Sequence, residues 1–158
     1  MAMKVTKNNV HESFEEAKRK IEEIIIRNLQ SIGTYAVNIA RDNTQPKKNK
    51  DGSPGGGTSY LDDTGNLRSS IGYIILKNGE IVDDSKFPQT KGTATEGKET
   101  GYSAAKRIAS EYSNKYVLVI VAGMNYASYV EKKDYDVLTF TESEARRKAK
   151  DLFNNLKI

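Results

Sequence analysis

Few residues in this chain have catalytic or ligating chemistry to offer, and their spacing does not gather them. His11 is the only histidine in 158 residues and cysteine is absent. A histidine-based triad, a multi-histidine metal site, disulfides and thiol nucleophiles are therefore out of reach within one chain. Carboxylates are more plentiful. Asp62 with Asp63, Asp83 with Asp84, and Asp134 with Asp136 carry the hard oxygen donors that a magnesium ion takes. Each pair lies beside a turn, however, where Asp serves by hydrogen-bonding its own backbone. Gly55-Gly56-Gly57-Thr58-Ser59 has the glycines of a phosphate loop, without the lysine that must follow them or a strand before them. The expectation is no enzyme, with no catalytic, cofactor-binding or metal-binding residues.

The basic residues that cluster are Lys47, Lys48 and Lys50, and the run Arg146, Arg147, Lys148 and Lys150. They support an alternative reading, a small nucleic-acid-binding protein that uses its C-terminal basic helix. Elsewhere the 25 Lys and Arg are interleaved with 21 Asp and Glu for a net charge of +4, which serves solubility rather than a dedicated basic face. Tyr126, Tyr129 and Tyr135 have faces on which bases could stack, but no basic groove accompanies them, and packing or protein contact is the better reading. Thr64-Gly65-Asn66 could bind an anion at a helix start, yet an ordinary cap explains it.

Several elements would have to position these residues. Val10, Phe14, Ala17, Ile21, Ile24, Ile25, Ile32, Ala36 and Ile39 recur at helical spacing, predicting one long amphipathic helix over 10–40 with Asn8 or Asn9 as cap and a bend at Gly33. Ile24-Ile25-Ile26 widens its apolar face enough for a second contact, such as another subunit. Residues 42–59 are rich in Pro, Gly, Asn, Ser and Lys without periodicity, as expected of a mobile loop. A short helix at 66–70 leads into a strand from Ile71 to Leu76, and Lys77-Asn78-Gly79-Glu80 is a type I′ hairpin turn. A second mobile loop is expected over about 84–100, followed by a helix through Ala104, Ala105, Ile108, Ala109 and Tyr112. Tyr116–Ala122 (YVLVIVA) is the most apolar run, and its β-branched character places it centrally in the sheet. Thr141-Glu142-Ser143-Glu144 has capping-box form and should open the last helix. Ala145, Ala149, Leu152, Phe153 and Leu156 then share one face of that helix.

The expected fold is α+β. A small, mostly antiparallel sheet with a β-hairpin is packed by long N-terminal, middle and C-terminal helices, as a single domain over 1–158. The apolar fraction of 37% against 29% charged residues concentrates the core in a few of these segments. No apolar run approaches the roughly 20 residues of a membrane span, and no signal-type segment opens the chain. A soluble, unsecreted protein is expected.

Two stretches together carry a resemblance: Asp63-Thr64-Gly65-Asn66-Leu67-Arg68-Ser69-Ser70-Ile71 and Gly123-Met124-Asn125-Tyr126-Ala127-Ser128-Tyr129-Val130-Glu131. They resemble the paired signatures of the head–tail joining proteins of tailed bacteriophages (neck, tail-completion or minor head–tail connector proteins). Tyr135-Asp136-Val137-Leu138-Thr139 is similar to an element that precedes the closing helix in a subgroup. Lys132-Lys133-Asp134 departs from the glycine that many members carry after the Glu. The resemblance implies a structural virion protein at the head–tail junction, made in the host bacterial cytoplasm. It would act as a neck, tail-completion or tail-terminator subunit in a homo-oligomeric, hexameric ring. Other phage neck, connector or tail proteins would be its partners, and DNA would pass through the lumen without sequence readout. No cofactor and no membrane are implied. Thr64, Gly65, Leu67, Arg68, Tyr126, Tyr129, Glu131 and Tyr135 are the motif residues with a candidate subunit-interface role. Tyr126 and Tyr129, three apart on a helical turn, would lock that turn onto the sheet as a pair. Arg68 and Glu131 are a candidate ion pair between the two motifs.

Overall fold

A computed structural model describes residues 8–44, 62, 64–113, 115–132 and 137–155. Lys47, Lys48, Lys50, Gly55–Gly57, Asp63, Asp134, Tyr135, Asp136, Leu156 and nearly all of the expected loop 42–59 lie outside the described residues. In chain order the elements are α1 (Asn8–Asn43), α2 (Asn66–Ser70), β1 (Ile71–Lys77), β2 (Glu80–Asp84), α3 (Thr95–Ala109), β3 (Tyr116–Ala122), α4 (Ala127–Glu131) and α5 (Thr139–Asn154). The fold is α+β, with a three-stranded antiparallel sheet in the order β2-β1-β3.

The hairpin forms where the Asn-Gly pair requires it. Asn78 and Gly79 adopt φ of 53° and 86°, the two positive values of a type I′ turn. A register shift between Ile75 and Leu76 then bulges β2. One expectation fails: β3 is an edge strand, and the central strand is β1. The reason lies in what covers each face. Ile71, Tyr73 and Ile75 of β1 pack toward α1 and α4, while Ile74 and Leu76 pack toward α3 and Phe87. A strand buried on both faces carries an unbroken apolar run whether or not it is the most apolar one. In β3 only Val119 and Val121 are fully buried.

Only the C-terminal half of α1 enters the core, through Ile32, Ala36, Val37 and Ala40. There Gly33 serves close approach, since a Cβ at this position would lie 2.7 Å from the Tyr73 ring. The N-terminal half projects into solvent, laced by the exposed ion pairs Glu16–Lys20 and Arg19–Glu23 at one turn's spacing. Capping by Asn8 or Asn9 falls at the boundary of the described residues. Lys77 at the hairpin reaches Glu22 at 2.8 Å and ties α1 to the sheet.

The middle helix is longer than its apolar residues announce. It begins at Thr95, so the last residues of the expected loop 84–100 are helical. Its packing face is a stripe of small residues four apart, Gly97, Gly101, Ala105 and Ala109, all buried. A Cβ on Gly97 would sit 2.1 Å from the Asn66 carbonyl oxygen, and one on Gly101 would sit 2.4 Å from that of Ser70. Helix α3 thus lies backbone to backbone on α2, a contact with no hydrophobic signature. Before it, Phe87 turns inward and meets Tyr102 edge-on at 5.8 Å.

The last helix also starts earlier than its capping-box residues suggest. It opens at Thr139, and Thr141 is buried inside the first turns. The Thr141 hydroxyl has no hydrogen-bond partner among the described residues, so another residue caps α5. On α1, the helix packs through Ala145 against Ile32 and Ala36, and the Tyr35 hydroxyl donates to Glu144 at 2.9 Å.

Candidate functional site

The first motif is a turn held from both sides. Gly65 takes φ 77° ahead of α2, in the left-handed region that only glycine enters without penalty. The Thr64 hydroxyl accepts the Asn66 N–H at 3.2 Å. The buried Asp62 carboxylate accepts the Arg68 N–H at 2.7 Å. The α2 start is therefore filled from within the chain. Asp62→Ala is expected to lower stability by about 1 kcal/mol, the usual cost of a lost cap, read as a lowered urea midpoint. From the other side, the Asn66 side-chain oxygen accepts the Gly97 N–H at 3.1 Å. Thr90 donates to Ser69 at 2.8 Å through its N–H and to the Gly65 carbonyl at 3.0 Å through its hydroxyl.

The two motifs do meet, but through residues other than the expected ion pair. The Ser70 carbonyl accepts the Gly123 N–H at 3.1 Å. The Ser70 hydroxyl accepts the Met124 N–H at 3.3 Å while donating to the Leu67 carbonyl. Beneath them Leu67, Ile71, Met124, Ala127 and Val130 share one hydrophobic cluster. Gly123 is needed because a Cβ there would fall 2.4 Å from the Gly101 Cα. The signatures thus build one internal joint linking α2, α3, β3 and α4. Ser70 and Gly123 are its hinge points, and neither has chemistry that would single it out in sequence.

Arg68 and Glu131 form no ion pair. Glu131 caps α5: one carboxylate oxygen accepts the Val137 and Leu138 N–H groups at 2.9 and 3.0 Å, and the other accepts the Thr139 N–H at 2.9 Å and its hydroxyl. Burial works against this charge, but the Thr139 hydroxyl and the backbone N–H groups outweigh it and hold the carboxyl below its ordinary range. Arg68 instead lies near Arg41, whose guanidinium donates to the Ile71 carbonyl at 2.7 Å. Burial first, and the Arg68 charge second, lower the Arg41 pKa. Tyr126 and Tyr129 differ in burial. Tyr126 is half-buried and packs against the cluster that holds Leu67 and Met124, whereas Tyr129 is 61% exposed.

The C-terminal bases are largely answered by their own helix. Arg146 pairs with Glu142 at 2.8 Å and Arg147 with Glu144 at 2.7 Å, and the Lys148 ammonium sits 4.8 Å above the Tyr35 ring. Asp83 accepts the Tyr73 hydroxyl, and Asp84 caps the following turn at Lys86. No group of three or more His, Asp or Glu among the described residues is placed to hold a metal ion. What the surface does present is apolar. Val10 and Phe14 on α1 are 72% and 67% exposed. An open groove of about 780 Å³ runs between β3, α4 and α5.

The small α+β unit thus uses its signature residues for an internal joint and leaves apolar surface exposed on α1 and along the groove. A family model described as "Bacteriophage HK97-gp10, putative tail-component" matches residues 9–132, from the start of α1 to just beyond Glu131. The chain belongs to this family of phage tail components. Neither a curated protein nor a solved structure matches it. Among the described residues no helix is long and apolar enough to cross a membrane.

Proposed function

We propose that this chain is a structural virion subunit of the head–tail junction, acting in neck, tail completion or tail termination, and that it works as a homo-oligomeric ring. The resemblance implies six subunits, with DNA passing through the lumen without sequence readout and other neck, connector or tail proteins above and below. The whole chain, 1–158, serves as one domain in this reading. The observation that carries it is the projecting half of α1. Val10, Phe14 and Ile21 recur on one side of this helix and stay 72%, 67% and 39% exposed. A stripe of that size on a soluble chain calls for a partner. Of the tyrosines in the second motif, Tyr129 is the one on the surface, and it is assigned to a neighbouring subunit.

Electron microscopy tests this reading on the purified protein and on phage particles. Rings with a central opening, and antibody label at the junction of head and tail, are expected. Monomers in both preparations, or label confined to the tail tip, would remove the proposal.

A further inference from the structure

The free edge of β3 is recessed in a trough with a cavity on each side. Strand β3 pairs only with β1, so the N–H and C=O groups along its outer edge have no strand partner among the described residues. The cavity of about 780 Å³ flanks this edge on the α5 side. A second cavity of about 360 Å³ flanks it on the α3 side. Both reach Ile120, Ala122, Ala127, Ser128 and Leu138. An added strand would satisfy the edge groups and send alternate side chains into the two cavities, because strand side chains alternate between faces.

We propose that β2 of a second copy is the strand that fills this trough, making a head-to-tail contact that extends the sheet from one subunit to the next. The two edges of the sheet are unlike in shape and in charge. Strand β2 is a projecting tongue: its outer edge is also unpaired, and Ile81 and Val82 are 37% and 42% exposed. Of its three acids, Asp83 accepts the Tyr73 hydroxyl and Asp84 pairs with Lys86, which leaves Glu80 as the β2 acid without an ion pair among the described residues. The trough answers with Arg107 on the α3 side and Lys132 on the α5 side. Neither has an ion pair among the described residues. The two acids there are committed, Glu142 to Arg146 and Glu131 to the α5 N–H groups. Pairing two β3 strands would instead bring the helix walls of both troughs together and leave those cations unanswered, since β3 carries no charged residue. A head-to-tail contact of this kind closes into a ring when its rotation allows. The inference therefore rests on the assembly reading above and names its interface.

Disulfide trapping tests it directly, because the chain has no cysteine. Within one chain β2 and β3 are separated by β1, about 10 Å apart at two strand spacings, beyond the roughly 7 Å between Cα atoms that a disulfide can span. Protein carrying Val82→Cys is mixed with protein carrying Ile120→Cys under mild oxidation, and the pair Ile81→Cys with Leu118→Cys covers the neighbouring register. A covalent dimer is expected in at least one mixture and with none of the single variants alone. The double variant Val82→Cys/Ile120→Cys or its counterpart should give a ladder that stops at the ring number. A dimer from the Ile120→Cys protein alone would show two β3 strands paired and overturn the proposal. In parallel, the exposed double change Ile81→Lys/Val82→Lys should lose the oligomer in native mass spectrometry with an unchanged far-UV circular dichroism spectrum. An oligomer that survives this change, or that gives no disulfide in either mixture, overturns the β2–β3 contact and leaves the ring standing. A monomer with no trapped dimer overturns both.

Discussion

Replacing Gly97 or Gly101 with alanine is expected to cost the fold about 3 kcal/mol, the upper range for overpacking a well-packed contact. The direction runs against helix propensity, which favours alanine over glycine by about 1 kcal/mol. The added methyl has nowhere to go. At Gly97 it would lie 2.1 Å from the Asn66 carbonyl oxygen and at Gly101 it would lie 2.4 Å from that of Ser70. Both obstacles are backbone of the first motif, so relief requires α3 to move off α2. That movement would break the Asn66–Gly97 hydrogen bond and open the joint between the motifs. Urea unfolding should show a clearly lower midpoint for both variants. Gly92→Ala is the control, since a Cβ there meets nothing within 4 Å. An unchanged midpoint for Gly101→Ala would mean that α3 does not dock on α2 by backbone contact.

Glu131→Ala is expected to destabilise the chain by about 2–3 kcal/mol, more than a single cap because three backbone N–H groups and a hydroxyl lose their acceptor together. Glu131→Gln keeps one acceptor oxygen without the charge and should lose about half as much on the same grounds. The pH dependence carries an independent signature. The hydrogen bonds hold the folded-state carboxyl below its unfolded value. Its contribution is therefore fully present above the unfolded pKa, near 4.5 for this group, and is lost as pH falls through the lower folded value. Wild-type stability should fall with acid across that window, and the fall should be smaller in Glu131→Gln. Parallel pH profiles for the two proteins would rule out Glu131 as the α5 cap. Far-UV circular dichroism of Glu131→Ala should also show lost helix, because the α5 N-terminus has no side-chain cap of its own.

Both effects are hidden from a reading of the sequence for the same reason: they act through backbone contacts that no pattern of residue types records. The Glu131 carboxylate reaches forward to Thr139, while the sequence-local candidate, Thr141 with Glu144, has the right spacing and the wrong place. The second motif is visible as a pattern, but an opposite charge is the simplest partner a sequence offers its glutamate, and Arg68 is not the partner it takes. The N-terminal end of the middle helix leaves no apolar signal because Gly97 and Gly101 pack by having no side chain. Apolar periodicity cannot register a contact of that kind.

Local chemistry was enough for the rest. The 3.6-residue recurrence from Val10 to Ile39 determined α1, the positive-φ tolerance of Asn78 and Gly79 determined the hairpin, and the paired motifs determined the family. The first two depend on local spacing and the third on the order of two short stretches, and none of them needs the tertiary structure. The tertiary structure alone decided that β1 rather than β3 lies at the centre of the sheet, that Ser70 and Gly123 join the motifs, and that Glu131 caps α5. It also decided that β3 is left as an open edge beside an apolar trough. Those outcomes depend on which faces are covered by distant elements, and the composition of a segment does not record what lies next to it in space.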